Sequence, residues 1–194
     1  MEKITLNKKA IYKAAEFLEN GGVVIFPTDT IYGFLALTGN KKAVNKIYRI
    51  KKRSKTKPLP IFVKDSRMAK DLAEINDKQL KILKNKWPGK YTFVLSLKKI
   101  EAGPLSNLVK MGGGTIALRI PKYKPLNDLL KKINKPLSQT SVNVSGQEPL
   151  IKSSGIELQF KNQKILFIDA GNLKKSKPSK VLDLTGDKIK FLRK

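Results

Sequence analysis

Apolar residues recur at helical spacing after Asn7, at Ala10, Ile11, Ala14, Phe17 and Leu18, and the pattern stops at Gly21-Gly22. This predicts a helix capped by the Asn7 side chain. Residues 23–26, Val-Val-Ile-Phe, form a short continuous apolar run of the kind found in buried strands, and residues 34–37 resume the run after a polar loop. Asn40 then caps a helix to about Ile50, with Val44, Ile47 and Tyr48 facing inward. A basic, proline-containing stretch over 51–60 leads into a strand at 59–63. Ser66 and Asp77 are each expected to cap a short helix, the second carrying Leu80 and Leu83 toward Trp87-Pro88-Gly89. Further strands are expected at 91–97, 115–120, 165–168 and 181–184, with a last segment at 189–192. Helices are expected at 126–133 and 154–160, a glycine turn at Gly112–Gly114, and a polar loop at 141–146. Strands alternating with helices predict an α/β layered fold around a mixed sheet, and 194 residues suit one domain spanning 1–194.

Composition narrows the chemistry. The chain has no His and no Cys, which excludes thiolate nucleophiles, thiolate and imidazole metal sites, and every imidazole-based acid/base scheme. Hydroxyls, carboxylates, amines and guanidinium groups remain. The first residues lack the apolar stretch of a signal peptide, and no apolar run approaches the ~18 residues of a membrane span, so a cytoplasmic protein with no membrane contact is expected. Lys and Arg number 41 against 15 Asp and Glu, a net charge of +26, which either attracts polyanions such as RNA or reflects a lysine-rich composition. Only five of the 41 are Arg. Where lysine would serve solubility, an arginine suggests need of a planar two-pronged donor, and Arg53, Arg119 and Arg193 become candidates; Arg49 and Arg67 read as helix-surface residues.

Ligands of open α/β sheets gather where strands end. In the loop 27–33, Thr28, Thr30 and Tyr32 offer hydroxyls, while Asp29 either acts as an acid or turns the chain. The cations of 51–57 either converge on a polyphosphate of charge about −4 or form a solvated face. No Gly-x-x-x-x-Gly-Lys-Ser/Thr phosphate loop is present.

Six motifs fall in one register: Pro27-Thr-Asp-Thr-Ile-Tyr-Gly33; Lys51-x-Arg53 with Lys57-Pro-Leu59; Trp87-Pro-Gly89 with Thr92; Thr115-x-x-x-Arg119-x-Pro121; Thr140-Ser-x-Asn-x-Ser-Gly146; and Pro178-Ser-x-x-x-Asp183 with Leu192-Arg193. Together, over residues 8–193, they resemble the YrdC/TsaC-type L-threonylcarbamoyladenylate synthases. The resemblance implies a twisted mixed sheet with flanking helices and a basic concave face. It implies a nucleotidyltransferase that joins L-threonine, bicarbonate and ATP into threonylcarbamoyl-AMP and pyrophosphate, the first step toward threonylcarbamoyladenosine at position 37 of tRNA. Magnesium would accompany ATP, a tRNA or RNA contact would use the basic face, and a separate threonylcarbamoyl-transferase machinery would take the product.

By motif, the resemblance assigns Lys51, Arg53, Lys57, Thr115, Asn143 and Arg193 to ATP, and Thr30, Arg119, Ser141 and Ser179 to threonine, with Thr28 and Tyr32 as additional site residues. Arg119 is expected to grip the threonine carboxylate through two parallel bonds. No residue is assigned as a catalytic nucleophile or metal ligand. Three departures stand out: Phe62 occupies a position where some members carry His near threonine, Ser54 replaces the usual Pro after the Lys-x-Arg segment, and Arg193 is followed only by Lys194, which leaves open whether Arg193 is ordered. The alternatives are a non-catalytic double-stranded RNA or tRNA-binding module of the same fold and a carbamoyl-transfer domain.

Overall fold

The computed structural model describes residues 1–99, 105 and 113–193. Its elements run β1 (Glu2–Thr5), α1 (Lys8–Glu19), β2 (Val24–Phe26), β3 (Gly33–Leu37), α2 (Lys41–Lys51), β4 (Ile61–Phe62), α3 (Ser66–Leu72), α4 (Asp77–Lys86), β5 (Tyr91–Ser96), β6 (Thr115–Arg119), α5 (Lys124–Ile133), β7 (Leu137–Ser141), α6 (Ser153–Phe160), β8 (Leu166–Asp169), β9 (Lys180–Asp183) and β10 (Lys190–Arg193). The strands form one mixed sheet in the order β1-β8-β2-β3-β7-β4-β6-β5-β9-β10. Four pairs are parallel (β1/β8, β2/β8, β4/β6 and β5/β9) and five antiparallel (β2/β3, β3/β7, β4/β7, β5/β6 and β9/β10) among the described residues.

Local signals explain most helix starts. Asn7 Oδ1 accepts from Ala10 N at 2.9 Å and Asn40 Oδ1 from Ala43 N at 3.0 Å, satisfying donors that the first helical turn leaves unpaired. Two caps sit one residue earlier than the sequence suggests. Asp65, not Ser66, caps α3, and Asn76, not Asp77, caps α4 in a reciprocal box with Gln79. The β4 pairing is shorter than expected, and two strands escaped the apolar pattern: β1, at one edge, and β7, which sits mid-sheet between β3 and β4. The expected turn at Gly112–Gly114 falls partly outside the described residues; Gly113 and Gly114 both have positive φ.

Period-two alternation sorts the core. Val24, Phe26 and Leu35 pack with α1 and α5 through Ala14, Leu18, Leu126 and Leu130. Val23, Ile25 and Phe34 turn the other way and meet Ile47 and Tyr48 of α2 and Ile156 and Phe160 of α6. A third cluster joins α3 and α4 to Phe93, Leu118 and Leu182. Helices cover both faces around β2 and β3, while polar loops at strand ends and the face of β5 and β6 that carries Val94, Thr115 and Ala117 border cavities.

Candidate functional site

The loop between β2 and β3 is built by its own hydroxyls. Thr28 Oγ1 donates to Ile31 O at 2.7 Å and accepts from Thr30 N at 3.1 Å, a turn of the kind threonine makes with its own backbone. Because the Thr28 hydrogen is used, the 3.0 Å contact between the two hydroxyls is donated by Thr30, whose oxygen keeps acceptor capacity. Tyr32 is fully buried. Its hydroxyl donates to Gly171 O at 2.7 Å and accepts from Ala170 N at 2.9 Å, and burial raises its pKa above the ordinary value. Thr28 and Tyr32 therefore shape the loop, with their hydroxyls committed to protein partners.

Asp29 neither turns the chain on itself nor stands free as an acid. Its Oδ1 accepts from Arg119 Nη2 at 2.6 Å and its Oδ2 from Lys122 N at 3.1 Å. Arg119 Nε donates to Gly89 O at 3.0 Å, and its Cζ lies 5.7 Å from the Phe62 ring centroid. The residue at the family's His position is thus an apolar wall for a guanidinium, in cation–π contact with it. Burial pushes the Arg119 pKa down and Asp29 opposes that push.

Three of the five arginines line one cavity of about 240 Å³: Arg53, Arg119 and Arg193, together with Thr30, Ser141 and Ser179. Arg193 is fixed to Ser179, Nε to its carbonyl at 2.8 Å and Nη2 to its hydroxyl at 3.1 Å. It forms part of the wall beside the residues assigned to threonine. A second cavity of about 400 Å³ is lined by Lys51, Lys52, Arg53, Lys57, Ser141, Asn143, Ser145 and Gly146. Arg53 and Ser141 belong to both cavities. Among the described residues no Asp or Glu lines either one, and no group of three carboxylates could hold a metal ion.

Two residues assigned to ATP, Lys51 and Asn143, line this second cavity and also bond within the protein. Lys51 is 1% exposed, and its Nζ donates to Ser141 O at 2.5 Å, Asn143 Oδ1 at 2.7 Å and Asn143 O at 2.9 Å. Three acceptors consume all three ammonium hydrogens. Burial, with Arg53 nearby, pushes its pKa down to about 7. The signal was in the sequence, since Lys51 continues the Val44, Ile47, Tyr48 row at helical spacing and so points inward. The Asn143 amide is engaged as well, donating to Val144 O and Gln147 O while Oδ1 also accepts from Ser141 Oγ. Lys51 and Asn143 thus hold the loop after β7 against the end of α2.

Thr115 stands apart from both cavities. It lines a mainly apolar cavity of about 280 Å³ with Tyr48, Pro58, Leu59, Ile61 and Leu192. Lys52, which ends α2 in the left-handed conformation, together with Ser145 and the carbonyl of Gly89, were not singled out beforehand. Backbone groups leave no side-chain signature to read.

The family model Sua5_yciO_yrdC, described as "Telomere recombination", matches residues 16–194. A Methanocaldococcus jannaschii protein with the provisional name threonylcarbamoyl-AMP synthase is 36% identical over 192 residues, covering 97% of this chain and 88% of the relative. P. abyssi Sua5, solved in complex with L-threonine, superposes with a TM-score of 0.87 at 28% identity over 99% of this chain, which spans 56% of the Sua5 chain. E. coli YciO superposes with a TM-score of 0.87 at 27% identity, covering 100% of this chain and 93% of YciO. With the family pattern running through nearly the whole chain and the same sheet in its solved members, the chain belongs to the Sua5/YciO/YrdC family.

Proposed function

We propose that this protein makes L-threonylcarbamoyl-AMP and pyrophosphate from L-threonine, bicarbonate and ATP. The observation that carries this is the pair of joined cavities, one with an arginine set for a carboxylate and the other with cations for phosphates, sharing Arg53 and Ser141. An amino acid in the first would have its amine side facing the phosphates in the second. The threonine amine condenses with bicarbonate, releasing water, to give a carbamate. A carbamate oxygen attacks the α-phosphorus of ATP, the bond to the bridging oxygen breaks, and pyrophosphate leaves with that electron pair. No protein nucleophile is required, so positioning and charge neutralisation carry the catalysis, in keeping with a chain lacking His and Cys.

Within this scheme Arg119 holds the threonine carboxylate, the Thr30 oxygen accepts from the amine, and Ser141 and Ser179 line the space around them. Arg53 and Lys57 neutralise the polyphosphate, and the Lys51–Asn143 support keeps the loop at 141–147 in position. The apolar cavity at Thr115 suits the purine. Magnesium would enter with ATP, held by phosphate oxygens and water, where it would add charge neutralisation; among the described residues no acidic side chain lines either cavity to hold it. The product is a reactive mixed anhydride, so a transferase must consume it, and the place proposed for the reaction is the first step of threonylcarbamoyladenosine formation at tRNA position 37. The +26 charge favours contact with tRNA. The test is pyrophosphate release from ATP, which should require threonine and bicarbonate together. ATP turnover indifferent to threonine, or RNA binding with no turnover, would sink the proposal.

A further inference from the structure

Asp29 does not itself line the cavity proposed for threonine; it sits behind Arg119, which does. Both oxygens are taken, by Arg119 Nη2 at 2.6 Å and Lys122 N at 3.1 Å, and the Asp29 and Arg119 side chains are 6% and 3% exposed. A general base must reach the substrate, and this carboxylate stands outside the cavity lining with its charge facing a guanidinium instead. A guanidinium has two forked edges, one formed by Nε and Nη2 and the other by Nη1 and Nη2. Gly89 O and Asp29 Oδ1 bond Nε and Nη2 of the first edge, so a two-bond grip on threonine falls to the other. The Nη1–Nη2 edge is the one left to hold an anion in the cavity that Arg119 lines. The Phe62 ring supports the same group, 5.7 Å from Cζ.

We infer that Asp29 is a positioning residue for amino-acid recognition: it fixes Arg119 so that only the Nη1–Nη2 edge meets the α-carboxylate. An unpinned arginine could present either edge and place the amine in two positions; a pinned one sets a single position, and with it the direction from which the carbamate approaches phosphorus. This rests on the cavity holding threonine, as proposed above.

The test pairs a substitution in the protein with one in the ligand. L-Threoninol keeps the amine and both side-chain features of threonine but lacks the carboxylate. Calorimetric binding of each ligand to the wild-type chain and to Asp29→Asn should show threonine affinity falling about tenfold or more, the scale of one charge-assisted hydrogen bond, with threoninol affinity changing less than about threefold. Equal losses for both ligands would reduce Asp29 to a general support of the fold and overturn the inference. If Asp29→Asn does not fold, the wild-type chain bound to threonine decides: the Asp29–Arg119 bond should persist with the carboxylate on Nη1 and Nη2, and a carboxylate that displaces Asp29 to take the Nε edge overturns it. Failure of the wild-type chain to bind threonine removes the cavity's proposed ligand before any variant is compared, and the inference with it.

Discussion

Replacing Lys51 by Met keeps most of the side-chain volume and removes the buried ammonium. In the folded chain burial pushes the Lys51 pKa from 10.5 down to about 7. Between those values the unfolded chain holds a proton that the folded chain has released, so unfolding takes up a proton and Lys51 makes stability rise with pH; below about pH 7 both states are charged and the cost of burying the ammonium is fully present. Integrating the linkage from pH 7 to pH 9 gives a gain on the order of 2 kcal/mol for the wild type, which Lys51→Met lacks. Near pH 7 the two proteins should differ little, because lost charge-assisted bonds are offset by relief from burying a charge. Urea denaturation of both proteins at pH 6, 7, 8 and 9 reads the difference directly, since titration of every other group is common to the pair. The wild type should pull ahead by about 2 kcal/mol over that range, or roughly 4–8 °C in Tm. A gap that stays constant from pH 6 to pH 9 would show that Lys51 keeps its proton when folded, and would refute the reasoning.

Arg53→Lys keeps the charge shared by the two cavities but loses the guanidinium fork, which now also bonds Lys57 O and Pro58 O. The expected result is a fall of about 10- to 100-fold in kcat/KM for ATP, against less than about twofold for removal of the exposed Lys9. Tyr32→Phe deletes the bonds to Gly171 O and Ala170 N and should cost about 1–2 kcal/mol in denaturant unfolding, while adenylate synthesis at 25 °C stays within about threefold. Binding of tRNA should fall steeply between about 50 and 300 mM salt through counterion release, while adenylate synthesis falls much less. Parallel loss would place RNA within the catalytic site.

Features written in neighbouring residues were legible. The Asn7 and Asn40 caps and the 23–26 strand each depend on a few adjacent side chains, and the rarity of Arg in a lysine-rich chain drew attention to three residues that do share one cavity. Features that depend on partners far along the chain were not. β7 reads Leu-Ser-Gln-Thr-Ser, polar enough to pass for a loop, yet it lies between β3 and β4 with Ser138 bonded to Thr38 Oγ1. Asp29 meets a guanidinium 90 positions away, so local turn chemistry was a reasonable but wrong expectation. Lys51 shows a different case: one of several lysines in a basic run, it reads as a cation for ATP, while its helical spacing also turns it inward. The family register grouped Thr30, Arg119, Ser141 and Ser179 around one cavity, but it could not separate side chains that face a ligand from those that hold the loop facing it.

The central claim is that a carbamate made from threonine attacks the α-phosphorus of ATP. It is tested most directly by supplying ATP labelled with ³²P at the α-phosphate together with ¹⁴C-labelled L-threonine and bicarbonate, then separating the products. Both labels should appear in a single species, formed in equal amount with pyrophosphate and absent when bicarbonate is removed. Appearance of ADP and free phosphate, with the ¹⁴C label remaining in threonine, would contradict it.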